Sequence, residues 1–252
     1  MPQRFFVNGG DIAGDGLVME GPVANHIARS LRMRSGDRIV VVDDSRQEHG
    51  VLLRSVRPER VEGDITWSRH ATGEPRLQVT VVQALSRERM EECIDLLVEV
   101  GAAEVRPVIT ERVVSRPTED RVAHRVHRWQ AVATEAAQLA GRGMIPRVHA
   151  PVPLPDALAA LDRSSRLVAC TYDGDHSLAD TDVDVNRPLA LCIGPEGGFG
   201  EQDLDTLRGA GAETVHMGAR VLRTRYAAAV ACALLFARAG DLAERVASDP
   251  ST

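Results

Sequence analysis

The most informative absence in this chain is lysine, because all 30 basic residues among its 252 residues are arginine. A Walker phosphate loop needs its lysine and Schiff-base chemistry needs a lysine amine, so both classes of mechanism are excluded. The bias is the one that the arginine codons of a GC-rich genome produce. Any contact to phosphate or to a base edge would therefore come from the planar fork of arginine, which suits bidentate recognition.

Cysteine and histidine are few and dispersed. The four cysteines lie far apart inside apolar stretches, without a Cys-x-x-Cys pair, and none of the eight histidines stands beside one at ligand spacing. We expect buried thiols, since free cysteine is among the most buried residue types. His124 and His127 share a face of a predicted helix, but no carboxylate or cysteine completes a metal set, so we expect no metal site.

Long apolar runs are missing too. No segment approaches the roughly 20 consecutive apolar residues that a bilayer span needs, and the first residues lack the charged-then-apolar pattern of a secretory signal. We expect a cytosolic, cytoplasmic protein without a membrane segment. A net charge of −6 argues against a protein that coats nucleic acid by charge alone, but it leaves room for a local basic site.

The pattern predicts two domains, 1–72 and 73–252. The first has short strands separated by turn residues, at the spacing of a small β-barrel, and one helix over 25–32. The segment 70–76 is polar and turn-forming, and after it buried strands alternate with helices, which is typical of an α/β domain with a mostly parallel sheet. The predicted strands are 4–7, 16–19, 37–42, 49–53, 61–67, 77–84, 105–109, 166–170, 189–193 and 214–217, and the predicted helices of the second domain are 87–100, 121–139, 201–208 and 224–238.

A glycine-rich turn, residues 194–200, follows the strand that ends at Ile193. Glycine permits positive φ and lets backbone amides approach a ligand closely, while the helix after the turn contributes its N-terminal dipole. The spacing Gly-x-x-Gly-Gly-x-Gly is neither the dinucleotide fingerprint nor a phosphate loop. From this segment alone, ligand contact and a simple tight turn both stay open.

A second glycine turn, residues 217–224, also follows a buried strand and carries two arginines. Open α/β sheets place ligands at this position, beyond the ends of the strands. Unpaired arginines are costly to bury, so Arg220 and Arg223 are expected either to face an anionic ligand or to pair with Glu196 or Asp203.

Together the two turns resemble the RsmE family of 16S ribosomal RNA (uracil-N3)-methyltransferases. They read Gly194-Pro195-Glu196-Gly197-Gly198 and Gly218-Ala219-Arg220-Val221-Leu222-Arg223-Thr224. Further segments follow the order of the family along nearly the whole chain: His26-x-x-Arg29-x-Leu31-Arg32, Ser86-Arg87, Glu99-x-Gly101, Glu111-Arg112, Trp129 and Gly141-Arg142.

The resemblance implies a PUA-like RNA-binding β-barrel followed by an α/β domain of the SPOUT type, whose chain threads a trefoil knot that forms an S-adenosylmethionine site. It also implies a homodimer, with 16S ribosomal RNA or the small ribosomal subunit as the substrate. The implied cofactor contacts are mostly made by the main chain and fall on Thr171, Ile193, Gly194, Pro195, Glu196, Gly197, Gly198, Met217, Gly218, Val221, Leu222 and Arg223.

Methylation at uracil N3 needs removal of the N3 proton and stabilisation of the negative charge that grows on the uracil carbonyls. Arg220 or Arg142 is expected to stabilise that charge. Glu196 is the expected general base, with His26 of the first domain as the alternative. Unpairing the target nucleotide costs energy that phosphate contacts offset, and these RNA contacts are expected from His26, Arg29, Arg32 and Arg142.

Three positions depart from the family pattern: Ala140, Leu96 and Arg225. The last matters most, because a cation at the start of a helix opposes the helix dipole. The reading Thr224-Arg225-Tyr226 motivates an alternative, a catalytically impaired RNA-binding ribosome assembly factor on the same scaffold. A Rossmann-like oxidoreductase is a third possibility, which the missing Gly-x-Gly-x-x-Gly disfavours.

Overall fold

The computed structural model describes residues 2–243 except 87, 88, 115 and 117, so Arg87 of the Ser86-Arg87 motif lies outside the described residues. The chain forms two compact units. Among the described residues, the first comprises 2–74 together with 137–144, and the second comprises 75–136 and 145–243. The division therefore follows residue 74 rather than residue 72, and the segment 137–144 packs with the first unit although the pattern assigned it to the second domain.

An ion pair and a glycine contact hold that segment in the first unit. Glu74 accepts hydrogen bonds from the Arg142 guanidinium at 2.7 and 2.8 Å and from the Gly143 amide at 2.8 Å. Gly73 packs so closely on the carbonyl of Gly141 that a Cβ would collide with it. These contacts join residues that are almost 70 positions apart, so they leave no periodic signal in the local sequence. The sequence pattern therefore placed the segment in the same domain as its neighbours along the chain.

The first unit contains a six-stranded sheet. Its order is β1-β4-β5-β6-β3-β2, with antiparallel neighbours except for the parallel pair β1 and β4. All five strands predicted here are present, and the two-residue strand β2 is an addition. The strands are β1 (Gln3–Phe6), β2 (Ile12–Ala13), β3 (Gly16–Glu20), β4 (Arg38–Val42), β5 (Gln47–Val56) and β6 (Arg60–His70).

A helical segment joins β3 to β4. Helix α1 (Gly21–Asn25) continues directly into a π-helical turn, His26–Ser30. The predicted helix 25–32 was therefore wrong in its start. Gly21, with φ +68°, and Pro22 in the first turn mark the true beginning, because proline fits the first helical positions, where no N–H is needed.

The second unit contains an eight-stranded sheet in which the described pairs are all parallel. The order is β10-β8-β7-β13-β11-β14-β12, and β9 also pairs with β8. The predicted strands of the second domain are all present with shifts of up to two residues at their ends, whereas the two-residue strands β9, β10 and β12 were not predicted. The strands are β7 (Val79–Ala84), β8 (Glu104–Ile109), β9 (Arg147–Val148), β10 (Val152–Pro153), β11 (Arg166–Cys170), β12 (His176–Ser177), β13 (Leu189–Ile193) and β14 (Glu213–His216).

Five α-helices among the described residues accompany this sheet: α2 (Met90–Val100), α3 (Glu119–Leu139), α4 (Leu154–Ala159), α5 (Glu201–Gly209) and α6 (Thr224–Ala239). The short helix α4 is absent from the predicted set, and the mixed α/β architecture is confirmed. None of the helices in the described ranges is long and apolar enough to cross a membrane. Helix α2 ends at Gly101, whose φ of +117° lies in the region that favours glycine.

The strand order places three chain segments at one edge of the sheet. Strand β11 lies between β13 and β14, and all three run parallel. Their carboxyl ends therefore point to the same edge, where Thr171, Gly194 and Met217 follow. The two glycine turns, separate in the sequence, meet there.

Candidate functional site

A pocket of about 480 Å³ opens at the carboxyl ends of β11, β13 and β14, a size typical of small-molecule sites. It contains eleven of the twelve residues predicted to contact a cofactor, Arg223 being the exception. These eleven are Thr171, Ile193, Gly194, Pro195, Glu196, Gly197, Gly198, Met217, Gly218, Val221 and Leu222. Arg223 precedes α6, where its carbonyl accepts the amides of Tyr226 and Ala227.

The first glycine turn bends sharply at the top of β13. The amide of Gly198 donates to the carbonyl of Pro195 at 2.9 Å, and Gly198 has a φ of +69°. A Cβ at Gly194 would meet the backbone of Gly198 and Phe199 at 3.1 Å, closer than a side chain tolerates without a shift. The turn itself therefore requires glycine at Gly194, where a Cβ has no room, and favours it at Gly198, where φ is positive.

A buried carboxylate at the start of α5 joins this turn to the segment that follows β8. Asp203, in the first turn of α5 and 7% exposed, accepts hydrogen bonds from the amides of Gly200 at 2.9 Å and Glu111 at 3.1 Å. A Cβ at Gly200 would collide with the carboxylate of Glu111. Asp203 therefore serves the backbone of the turn, and the pairing with Arg220 or Arg223 that the sequence left open does not occur.

Sequence reasoning missed a second arginine in the pocket. Arg112 follows β8, lines the pocket and donates from Nη1 to the carbonyl of Gly197 at 2.7 Å. Its stem also covers Gly197, because a Cβ there would meet Arg112 Cδ at 3.5 Å. The available signal was its place directly after a buried strand, in the motif Glu111-Arg112, where open α/β sheets gather functional groups.

The floor of the pocket is apolar and includes one unsatisfied hydroxyl. Thr171 Oγ1 is buried and has no hydrogen-bond partner in the described part of the chain. Beside it, desolvation raises the pKa of the Cys170 thiol to about 12, so this thiol stays protonated at physiological pH. Phe199 and Leu204 complete the apolar lining. This lining suits S-adenosylmethionine. Its flat adenine base fits an apolar floor, and its polar groups can bond to the peptides of the glycine turns and to the Thr171 hydroxyl.

The rim of the pocket carries charges of both signs. Arg112 and Arg220 contribute two cations, and Asp173 and Glu196 contribute two carboxylates, all on exposed residues. Of the three side chains predicted to be catalytic, Arg220 and Glu196 therefore line the same pocket. The rim is neutral in sum, which suits a ligand with both charges better than a simple anion.

Arg142 lies elsewhere, in the first unit. Its side chain is 2% exposed and bonds to Glu74 through Nε and Nη2, while its carbonyl accepts from Arg4 at 3.2 Å. A contact to RNA or to a reacting base through this guanidinium would require the buried ion pair to break, which is costly because an uncompensated buried charge results. The structure gives Arg142 a packing role in place of the catalytic and RNA-binding roles predicted for it.

The remaining residues predicted to bind RNA are exposed. His26 and Arg29 belong to the π-helical turn, and Arg32 follows it with a φ of +54°, in the left-handed region. No ion pair of Arg29 or Arg32 occurs within the described ranges. These two guanidinium groups are thus available to a partner outside the chain.

The departure at Arg225 is accommodated at the start of α6. Its Nη2 donates to the hydroxyl of Tyr226 at 3.3 Å, its guanidinium lies 4.7 Å from that ring, and its Nε lies 3.5 Å from a carboxylate oxygen of Glu92. The hydrogen bond to Tyr226 raises the pKa of Arg225. Thr224 and Ala227 still line the pocket, so the wall that α6 provides is intact.

A second cavity, of about 530 Å³, lies beside β8 and β9 and contains none of the predicted site residues. Two of its lining residues, Arg106 and His149, contact the carboxylate of Glu104, Arg106 at 2.6 Å. The pocket at the strand ends, where the two glycine turns meet, is the better candidate.

Comparisons with known proteins agree with this geometry. A family model described as an RNA methyltransferase domain matches residues 73–236, and one described as an RNA methyltransferase PUA domain matches residues 20–48. Ribosomal RNA small subunit methyltransferase E of Mycobacterium tuberculosis is 32% identical over 235 residues, covering 90% of this chain and 88% of that protein. The enzyme of the same name from Bacillus subtilis is 24% identical over 218 residues, covering 82% and 84%.

Solved structures are similar over nearly the whole chain. A Neisseria gonorrhoeae ribosomal RNA small subunit methyltransferase E bound to S-adenosyl methionine has a TM-score of 0.82 at 26% identity, covering 92% of this chain and 96% of that one. A Legionella pneumophila methyltransferase in complex with the same cofactor has a TM-score of 0.83 at 27% identity, covering 94% and 98%.

Proposed function

We propose a function from the premise that this chain belongs to the family of ribosomal RNA small subunit methyltransferase E: it is an enzyme that uses S-adenosylmethionine to methylate 16S ribosomal RNA of the small subunit. The observation that carries the proposal is the pocket at the strand ends, where both glycine turns meet beside the unsatisfied hydroxyl of Thr171. Two similar structures hold this cofactor.

The proposed position of methylation is N3 of a uridine. When bound, the cofactor supplies an activated methyl group. The chain must orient the base and take up the N3 proton, for which Glu196 on the pocket rim is the proposed acceptor. Arg220 on the same rim is the proposed partner of the charge that grows on the uracil carbonyls. His26, Arg29 and Arg32 are proposed to contact the RNA backbone.

The finer architecture is also part of the proposal. We propose that the six-stranded sheet of the first unit closes as a PUA-like barrel, and that the second unit is a SPOUT domain with a trefoil knot around the cofactor. The close packing of the two glycine turns at one pocket supports the second assignment. A homodimer in the cytoplasm is proposed as the working form; the exposed apolar residues Tyr226 and Val230 on α6 suit a subunit contact.

The alternative, a catalytically impaired assembly factor on the same scaffold, was motivated by Arg225. Because Arg225 is held by Tyr226 and Glu92 while Thr224 stays on the pocket wall, this departure gives no reason to prefer it.

The decisive experiment is transfer of labelled methyl from S-adenosylmethionine to small-subunit RNA, followed by nucleoside analysis. Label on N3-methyluridine is the expected result. Label on another nucleoside would overturn the N3 assignment, and cofactor binding without any transfer would favour the assembly factor.

A further inference from the structure

A tyrosine ring stands exposed at the rim of the pocket. Tyr172 follows Thr171 directly, lines the pocket and is 74% exposed. The chain is poor in aromatic residues, at 3%, and has only two tyrosines. The other one, Tyr226, packs under the guanidinium of Arg225 at 4.7 Å. An aromatic ring left in water forgoes the stabilisation that burial gives, so a ring held at the mouth of a functional pocket points to a ligand that covers it.

The neighbours of Tyr172 on the rim match one class of ligand. Val221 is 81% exposed and lines the same pocket, as do Arg112 and Arg220. Proteins recognise unpaired nucleotides by stacking the base on aromatic or apolar side chains while arginine meets the phosphates or the base edge. The rim thus combines a flat aromatic face, an aliphatic contact and two guanidinium groups.

The floor of the pocket is buried and its rim is exposed, so the two parts suit different ligands, the cofactor and a base of the RNA. The floor consists of buried groups such as Ile193 and Phe199 and carries the unsatisfied hydroxyl of Thr171, which suits the cofactor. Tyr172 lies outside that enclosure. A base that receives a methyl group must leave its RNA helix and approach the cofactor from the open side, and it loses its stacking partners as it does so.

We propose that Tyr172 is a base-stacking residue, whose ring receives a nucleobase of the RNA substrate at the mouth of the cofactor pocket. The inference rests on the proposed function, because it takes RNA as the substrate. The stacking replaces part of the stacking energy that the extruded nucleotide loses. Tyr172 was not among the residues that the sequence pattern or the family resemblance singled out.

The test measures binding of two fluorescent oligonucleotides by the full chain: a single-stranded oligouridylate and an abasic strand of the same length and charge. Tyr172→Ala removes the ring, and Tyr172→Phe keeps it. Leu242→Ala is the matched control, because it removes an apolar side chain that is 62% exposed beyond the far end of α6. Cofactor affinity of each variant is measured by calorimetry.

Stacking of one base on an aromatic side chain corresponds to a loss of about 5- to 150-fold in affinity when the ring is removed. Tyr172→Ala should weaken oligouridylate binding by that factor and leave the abasic strand and S-adenosylmethionine within about 2-fold. Tyr172→Phe and Leu242→Ala should behave as the parent chain does.

Three results would overturn the proposal: unchanged oligouridylate affinity in Tyr172→Ala, an equal loss for the abasic strand, or a loss of cofactor affinity in place of RNA affinity. The last result would assign the ring to the adenine of the cofactor. Ring-dependent oligouridylate binding in a protein that transfers no methyl group would support base stacking and overturn the proposed enzymatic function, so the two failures are distinguishable.

Discussion

Removing the carboxylate of Asp203 tests whether the pocket depends on the clamp between β8 and the first glycine turn. Asp203 is 7% exposed and accepts from the amides of Gly200 and Glu111 at 2.9 and 3.1 Å. Alanine leaves both amides without this acceptor. A hydrogen bond to a charged group contributes about 1.5–3 kcal/mol. Glu111 is exposed enough for water to replace part of its bond, so we expect Asp203→Ala to destabilise the second unit by about 2–4 kcal/mol.

The two tryptophans allow the effect to be assigned to one unit. Trp129 is 2% exposed and belongs to the second unit, whereas Trp67 belongs to the first. In a Trp67→Phe background, urea unfolding followed by fluorescence reports on the second unit alone. Asp203→Asn should lose about half as much as Asp203→Ala, because the amide oxygen still accepts but the charge is gone. Cofactor affinity should fall about 10-fold, since a loosened turn must be ordered on binding.

The control lies on the same helix. Asp205 is 79% exposed and pairs with Arg208 at 3.3 Å, so its replacement by alanine should change stability little. If Asp203→Ala costs less than about 0.5 kcal/mol, the scatter of ordinary surface substitutions, the clamp does not hold the turn. A full loss of stability with unchanged cofactor affinity would refute the link from the clamp to the pocket.

Three further predictions concern RNA, acid and thiols. Arg32→Ala should weaken binding of small-subunit RNA without changing cofactor affinity by calorimetry; equal losses would contradict separate sites. The hydrogen bond from Arg166 lowers the pKa of Glu213 below its usual 4.5, so this pair stabilises the fold above that pH and loses its effect as pH falls through the lowered value. Thermal melts between about pH 5 and pH 3 should therefore show a steeper loss in the parent chain than in Glu213→Gln, a small effect that salt reduces, and parallel curves would rule it out. Because Cys93 is 1% exposed and burial raises the pKa of its thiol to about 12, a thiol reagent at neutral pH should label Cys93 only after unfolding, and rapid labelling of Cys93 in the native protein would contradict its burial.

The pocket at the strand ends was largely predictable because most of its residues fall in short runs that directly follow buried strands. A glycine turn after a buried parallel strand has few conformations, and the strand ends of an α/β sheet share one edge. Ile193 and Met217 mark two such ends, and their turns meet in one pocket. Strand β7 and helix α2 were predictable for the same reason, since continuous burial and helical periodicity are local signals.

Contacts between distant segments were not predictable. Whether Arg112 or Arg142 faces the pocket depends on which strand ends adjoin and on which unit each segment joins. Both follow a plausible motif, but Arg112 reaches Gly197 at 2.7 Å while Arg142 is buried against Glu74. The short elements β9, β10 and α4 were missed for a different reason: two to six residues are too few to show a hydrophobic period.

The backbone shapes the floor of the pocket and side chains shape its rim. This difference determines which substitutions should change ligand affinity. Its floor is set by glycine turns and by the Asp203 clamp, so most changes in side-chain identity there would be felt only where a Cβ collides, as at Gly194 or Gly200. Its rim is set by exposed side chains, of which Arg112 bonds to the Gly197 carbonyl while Tyr172 is 74% exposed. A substitution of Tyr172 is therefore expected to change the contact with the RNA base and to leave the shape of the pocket floor unchanged. We therefore expect Tyr172→Ala to lower RNA affinity alone and Asp203→Ala to lower cofactor affinity.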